Sequence, residues 1–458
     1  MATVASAPQT APLETGTGHG TWLPPGIRLH PFLQTVAWAI APTWLMERSA
    51  KQLGDAFTMT FWPSGMKFVL VSDPDEVKAV FTASPEVAPS ATGNSPIAPV
   101  MGPSSVLVLT GPEHLRQRKL LLPPFHGERM REYEQTIVEA TRRDMASWPR
   151  DEPMRLQERT RAITLEVILR AVFGVEAERM GPLKNAIAGL IEPMNTIAVL
   201  RIALAKPTME RPRGAIGKAL VTLDERIYEE ISRRRGQSDL KERTDILSLL
   251  MQARDEDGEA MTDGELRDEL VTLLLAGHET TATATAVAWA VERLVRHPEK
   301  LRRLQAEIEE GESEEYLNAV VNETLRVRPV VPIVVRLLQE NLQVGIYNLP
   351  AGTRVAPSIY LTNRNKRVYE QPSEFRPERF LGATPETFSW IPFGGGIRRC
   401  IGASFALLEM KLMLKTMLSE LEPQPAKSRR GELIRRRAIT LVPMSGARVV
   451  WKDRRPSP

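Results

Sequence analysis

The chain is predicted to be mainly α-helical with small β-sheets, an α+β fold. Three observations predict this. From about 113 to 335, and again from 403 to 418, apolar residues recur at helical spacing. Near 55–72, 340–360 and 433–451 the pattern changes to short alternating or apolar runs bounded by Pro, Gly and Ser, which read as strands. The 458 residues are 42% hydrophobic and 25% charged, enough for one large core and unlike a disordered or fibrous chain.

Taken in order, residues 1–22 are rich in Ala, Thr, Gly and Pro and are expected to form a disordered tail; 23–458 are expected to form a single domain. Trp22-Leu-Pro-Pro-Gly26 enforces an extended lead-in. Residues 31–54 read as helix broken near Pro42. Phe57, Met59 and Phe61 alternate with Thr58 and Thr60, Pro63-Ser-Gly65 turns, and Phe68–Val71 returns as the second strand of a hairpin. Residues 84–112 form a long, weakly charged loop with Ile97, Val100 and Met101 in it, the composition of a substrate lid.

Thr262-Asp-Gly-Glu265 has the form of a capping box, and no proline follows until Pro298. A helix over 263–295 would run ~50 Å at 1.5 Å per residue. Leu270–Gly277 is apolar almost all round, hence buried, yet His278-Glu-Thr-Thr281 follows directly. Polar groups there need partners or a purpose. A zinc-peptidase reading of His278-Glu279 fails, because position 282 is Ala. Near the end, 438–442 and 448–451 are expected to pair as a hairpin around Ser445-Gly446.

Sixty basic residues against 56 acidic ones give a net charge of +4, too mild for a nucleic-acid binder on charge alone. The one cysteine, Cys400, excludes intramolecular disulfides and multi-cysteine zinc or iron–sulfur sites, and fits a reducing cytoplasm. The first twenty residues carry no Lys, no Arg and no long apolar run, so no secretory leader is expected. No run approaches the ~18 apolar residues of a membrane span. A soluble protein without a transmembrane anchor is expected, with peripheral membrane contact left open.

Cys400 lies in Phe393-Gly-Gly-Gly-Ile-Arg-Arg-Cys-Ile-Gly402. Glycines allow close backbone approach to a flat ligand. A helix starting near Ala403 would aim its positive end at the sulfur and favour a thiolate. A buried structural cysteine is the plainer reading of a lone thiol, and the flanking residues weigh against it. Phe393, Gly396, Arg398, Cys400 and Gly402 match Phe-x-x-Gly-x-Arg-x-Cys-x-Gly at every fixed position, and the segment resembles the haem-binding loop of the cytochrome P450 family.

Further segments resemble that family in the same order along the chain. Ala276-Gly-His-Glu-Thr-Thr281 is similar to its oxygen-activation motif, which implies that Ala276 and Gly277 lie against the porphyrin and that Thr280 and Glu279 organise water and relay protons. Glu323-Thr-Leu-Arg326 and Arg379 in Pro377-Glu-Arg-Phe380 resemble the family's structural charge trio. His114, Arg118, Arg336 and Arg398 resemble its haem-propionate ligands, with Phe393, Gly394 and Gly402 in the loop beneath. Departures are Glu279 in place of the Asp of many bacterial members, and Thr362-Asn-Arg364 where the family often has His.

The resemblance implies a P450 fold with a long central helix over haem b (iron protoporphyrin IX), ligated by Cys400. It implies a monooxygenase that inserts one oxygen atom of O2 into a substrate. No Gly-x-Gly-x-x-Gly opens a nucleotide-binding unit, so electrons are expected from a separate ferredoxin or flavodoxin with its reductase. Arg116, Arg118, Lys119, Arg129, Arg131, Arg399 and Lys411 are expected to form the docking face. Ile97, Val100, Val330, Ile333 and Val334, with the stretch Leu190–Leu204, would line an apolar pocket for a lipophilic substrate. The alternatives on this scaffold are a peroxide-driven peroxygenase, which has no need of Thr280 and its acid neighbour, and a haem-based gas sensor or carrier without turnover.

Overall fold

Prolines set the first helix boundaries. The computed structural model describes residues 22–91, 98–127, 129–174, 177–191, 212–278, 282–426 and 431–454. In it Pro31 opens α1 (Pro31–Ile40) and Pro42 opens α2 (Pro42–Leu53). The residue before a proline is disfavoured in helix, so Ala41 leaves the helical region and one periodic run becomes two helices. α1 turns Gln34 and Trp38 inward. The Gln34 amide donates to the Leu29 carbonyl (2.8 Å) and accepts from the Thr60 N–H (2.8 Å), which pins α1 to the first strand. The outer face of α1, with Phe32, Leu33, Val36 and Ile40, is exposed and uncharged.

The expected hairpin forms from β1 (Ala56–Phe61) and β2 (Met66–Val71), with Phe57 opposite Leu70 and Met59 opposite Phe68. The proline-rich lead-in lies along it: Thr58 donates its N–H to Pro25 O (2.8 Å) and its hydroxyl to Pro24 O (2.7 Å). Next come α3 (Pro74–Thr82), α4 (Ala98–Met101), α5 (Gly111–Leu121) and α6 (Arg129–Met145). The loop expected over 84–112 thus contains one helical turn at 98–101, and Ile97 lies outside the described residues. The short strand β3 (Pro153–Arg155) leads into α7 (Leu156–Phe173), followed by α8 (Ala177–Ile191), α9 (Gly214–Arg235) and α10 (Ile246–Gln252). Of the stretch Leu190–Leu204, Leu190 is fully buried and 192–204 lie outside the described residues.

The capping box is real. Thr262 Oγ1 accepts from the Glu265 N–H (3.2 Å), and Glu265 accepts in return from the Thr262 N–H (2.8 Å). α11 (Asp263–His278) follows, and α12 (Ala282–Val295) lies beyond residues 279–281, which are outside the described set. Leu270, Val271 and Leu274 on α11 and Ala284 to Val291 on α12 are buried against α7, as an all-round apolar helix requires. α13 (Pro298–Glu310) and α14 (Glu315–Val327) complete the helical core on this side.

Two strand partnerships were hidden in the sequence. After β4 (Arg336–Leu337), β5 (Leu342–Val344) pairs with β6 (Tyr347–Leu349), while β7 (Arg354–Pro357) joins the N-terminal hairpin in the order β1-β2-β7-β4. β2 and β7 run parallel, so the chain must cross the whole helical region between them. A one-turn helix α15 (Ile359–Thr362) and an irregular stretch lead to α16 (Ala403–Glu420) and β8 (Leu421–Pro425). The hairpin expected around Ser445-Gly446 does not form. β10 (Thr440–Pro443) pairs instead with β9 (Ile434–Arg437) across a turn that holds Ala438 at φ 50°, and β11 (Arg448–Asp453) lies between β3 and β8. A strand with partners available on both edges satisfies more backbone groups than one at the end of a hairpin.

One carboxylate sits awkwardly at the sheet edge. Glu76 on α3 shares a surface pocket with Asp55, Asp73 and Asp75, and its Oε2 is buried without a hydrogen bond among the described residues. Burial first, then the charges of Asp73 and Asp55, push its pKa up to about 7, with Arg367 opposing. A raised carboxyl gives stability that is complete below the unfolded value and is lost as pH rises through the folded one. Thermal melts from pH 5 to pH 8 should therefore show wild type falling relative to Glu76→Gln; parallel curves would refute the assignment.

Candidate functional site

The segment before α16 is shaped by its glycines. Gly394 and Gly396 adopt φ +69° and +65°, open to glycine at little cost. A Cβ at Gly395 would overlap the Phe81 ring, and one at Gly396 the Phe81 carbonyl. The loop can thus lie directly on α3 only with glycine at both places. It closes on itself where the Cys400 N–H donates to Phe393 O (3.0 Å), and Gly402 caps α16. Cys400 is surface-accessible although protein atoms surround it, as expected of a side chain facing a concavity.

The sequence suggested a lowered thiol pKa. In the protein by itself burial outweighs the Gly402 amide, Arg399 and Arg118, and the thiol is pushed up. The three opposing influences all favour an anionic sulfur, and a bound metal cation would add to them.

Four basic side chains gather here from three parts of the chain. His114 and Arg118 stand one turn apart on α5, Arg336 begins β4, and Arg398 lies two residues before the cysteine. Among the described residues none of the three guanidiniums pairs with a carboxylate. Arg398 donates to Val106 O (2.9 Å) and to Leu109 O, while Arg336 donates to Val335 O (3.2 Å) and Gly395 O (3.5 Å). Burial lowers Arg336 to about 10; burial together with the charges of Arg336 and Arg118 lowers Arg398 to about 10. His114 is 2% exposed and falls to about 4, through burial and then the fields of Arg398, Arg118 and Arg336. Three arginines, one buried and two half-buried, that repel one another with no acid between them among the described residues leave a place for an anion. Two carboxylates beside a thiol-bearing glycine loop are what a haem would bring, so the residues present fit that group.

On the other side, Ala276 and Gly277 lie in the last turn of α11, and Glu279 and Thr280 lie outside the described residues. A Cβ on Gly277 would come 2.9 Å from Ile168 Cγ1, so this glycine serves the close packing of α11 on α7. Val100 is buried on α4, and Val330 is buried, its carbonyl accepting from Leu441 N (2.7 Å). Val334 approaches Gly394, whereas Ile333 packs into the cluster of Trp38, Leu45 and Phe57, so the structure does not bring these apolar residues into one group.

The charge trio assembles. Arg326 and Glu323 are both fully buried and doubly bonded (2.7 and 2.8 Å), and Arg379 reaches Glu323 at 3.2 Å. The other guanidinium hydrogens of Arg326 go to the carbonyls of Asn363, Pro372 and Glu374. Asn363 is buried beside them, and its Oδ1 accepts from Ile391 N (3.1 Å), tying the irregular segment to the residues just before the cysteine loop. The expected docking face is more neutral than the sequence suggested: Arg116 pairs with Asp255 and Glu265, Lys119 with Glu256, Arg129 with Glu132, and Lys411 with Glu314. Sequence reading passed over Arg267, Asp268 and Glu269, although three charges just before a buried apolar run were a visible signal.

Fold and site together define a helix-rich haem-thiolate class of protein. The family profile described as Cytochrome P450 matches residues 24–449, and the chain belongs to that family. It is 42% identical to cytochrome P450 137 of Mycobacterium tuberculosis over 90% of this chain and 86% of that protein, and 38% identical to cytochrome P450 135B1 of Mycobacterium bovis over 93% and 91%. The solved structure of retinoic acid bound cyanobacterial CYP120A1 shares the fold with a TM-score of 0.79 over 95% of this chain and all of that one, at 23% identity. The P450DA heme domain does so at 0.81 over 95% and 98%, at 22% identity. As a family member the chain is an oxidoreductase with haem b as cofactor, a monooxygenase that uses O2 and electrons from a separate redox partner. Among the described residues no helix is long and apolar enough to cross a membrane.

Proposed function

We propose that this chain, with 23–458 as one domain, oxygenates a lipophilic small molecule in the cytoplasm, drawing electrons from a ferredoxin or flavodoxin with its reductase. The observation that carries the reading is the single accessible thiol, Cys400, beside four basic groups that have no acid partner among the described residues. Cys400 holds the iron, and His114, Arg118, Arg336 and Arg398 hold the propionates. Thiolate-ligated haem supplies the oxidising chemistry, because the sulfur pushes electron density toward iron and favours O–O cleavage. The protein positions substrate, excludes water and delivers protons. Glu279 and Thr280 are proposed for proton delivery, and Glu323, Arg326 and Arg379 for holding the fold around the loop. The apolar sequence of the stretches around Val100 and Val330–Val334 supports an apolar substrate, since apolar walls leave a substrate's polar groups unpaired.

The test compares oxidant supply. With NADPH, ferredoxin and ferredoxin reductase, a library of terpenoids, steroids, fatty acids and polyketides should yield a product carrying one oxygen atom from labelled O2. Product formed only with hydrogen peroxide would favour the peroxygenase, and haem that binds gas with no product under either supply would favour the sensor.

A further inference from the structure

Residues 102–110 run without helix or strand between α4 and α5, and they are gripped from two sides. From α11, Asp268 accepts from the Ser104 N–H (2.9 Å), Glu269 Oε1 accepts from the Val106 N–H (2.8 Å), and the Thr272 hydroxyl donates to Ser105 Oγ (2.6 Å). From the cysteine loop, Arg398 donates to the carbonyls of Val106 (2.9 Å) and Leu109. Val106 is therefore held by its N–H to the distal helix and by its carbonyl to a propionate-binding arginine.

Glu269 is an expensive way to hold one amide. It is completely buried, and its Oε2 has no hydrogen-bond partner among the described residues. An apolar residue of similar size would avoid that desolvation cost. Burial, aided by Asp268 and Glu265, pushes the carboxyl well above its ordinary range, and the Val106 amide opposes them. What it contributes is an acceptor at one fixed point.

We propose that Glu269 is a positioning residue for the haem: by fixing Val106 it fixes the two carbonyls that orient Arg398, and so couples the substrate-side helix to the propionate site. The proposal rests on the haem reading above. A glutamine at 269 keeps an acceptor of the same reach; leucine removes it and leaves the Val106 amide unpaired.

The test uses wild type, Glu269→Gln, Glu269→Leu and, as a control for loss of packing on the same helix, Leu270→Ala. Hydrogen exchange on the haem-free chains should show protection of the Val106 amide in wild type and Glu269→Gln and its loss in Glu269→Leu. On the haem-loaded chains, transfer of haem to apomyoglobin should be at least ~10-fold faster for Glu269→Leu than for Leu270→Ala, a loss of about 1.4 kcal/mol, and the resonance Raman propionate-bending band should shift only in Glu269→Leu. Glu269→Ala, whose cavity admits water, replaces the leucine variant if that fails to fold. Equal haem release from Glu269→Leu and Leu270→Ala, or failure of Glu269→Gln to restore slow release, overturns the proposal alone. A wild-type chain that takes up no haem overturns the haem reading, and the proposal with it.

Discussion

Replacing Cys400 with serine is expected to abolish the red-shifted Soret band of the ferrous carbon monoxide complex and to reduce monooxygenation below detection. The argument is local and electrostatic. Cys400 is the sole sulfur nucleophile of the chain, it faces open space, and the Gly402 amide, Arg399 and Arg118 all favour negative charge on it. Burial opposes them, so the anion needs the metal cation to form and the two are linked. A serine hydroxyl is too weak an acid to follow. The variant should fold, because the loop is held by Phe393 O, by the glycine contacts with Phe81 and by Arg398, none of which uses the sulfur. Difference spectra of both proteins at matched haem content decide the matter; a serine variant that keeps the shifted band would remove the basis of the assignment.

The second large effect is on stability. Arg326→Ala should cost roughly 3–5 kcal/mol, because it leaves the carboxylate of Glu323 buried with only the peripheral Arg379 and the Arg376 N–H as partners among the described residues. That is a large part of the ~5–15 kcal/mol that holds a typical protein folded. The same change strips three carbonyls, those of Asn363, Pro372 and Glu374, of their donor. Arg326→Lys should rescue little, since one ammonium cannot reproduce the bidentate fork and the three further bonds. Urea midpoints and the haem-to-protein absorbance ratio measure both variants. Near-wild-type values for Arg326→Ala would mean that the trio is dispensable and that the irregular segment is held by Asn363 alone.

Much of this site was legible because its signals are contiguous. The Phe393–Gly402 loop and the Glu323–Arg326 pair each fit within ten residues, where spacing alone specifies a turn or a helix face. His114 and Arg118 could be proposed for the same reason. Glu269 was not legible as a partner of Val106, since 163 positions separate them and a buried acid leaves no periodic trace. The partial neutralisation of the basic docking face was hidden for a different reason. Lysines and arginines are visible in a sequence, but the acids that neutralise Arg116 and Lys119 come from the turn after α10 and the start of α11.

By itself the sequence determined what depends on near neighbours: the break at Pro42, the capping box at Thr262, the first hairpin and the glycine loop. These follow from backbone sterics and hydrogen bonds over a few residues. Tertiary structure alone decided which strands pair, as β2 with β7 and β11 with β3 and β8, because an alternating pattern states which face is buried and not against what. It also decided the direction of the Cys400 thiol and the depressed His114, since desolvation sums over every atom packed around a group, wherever in the chain those atoms originate.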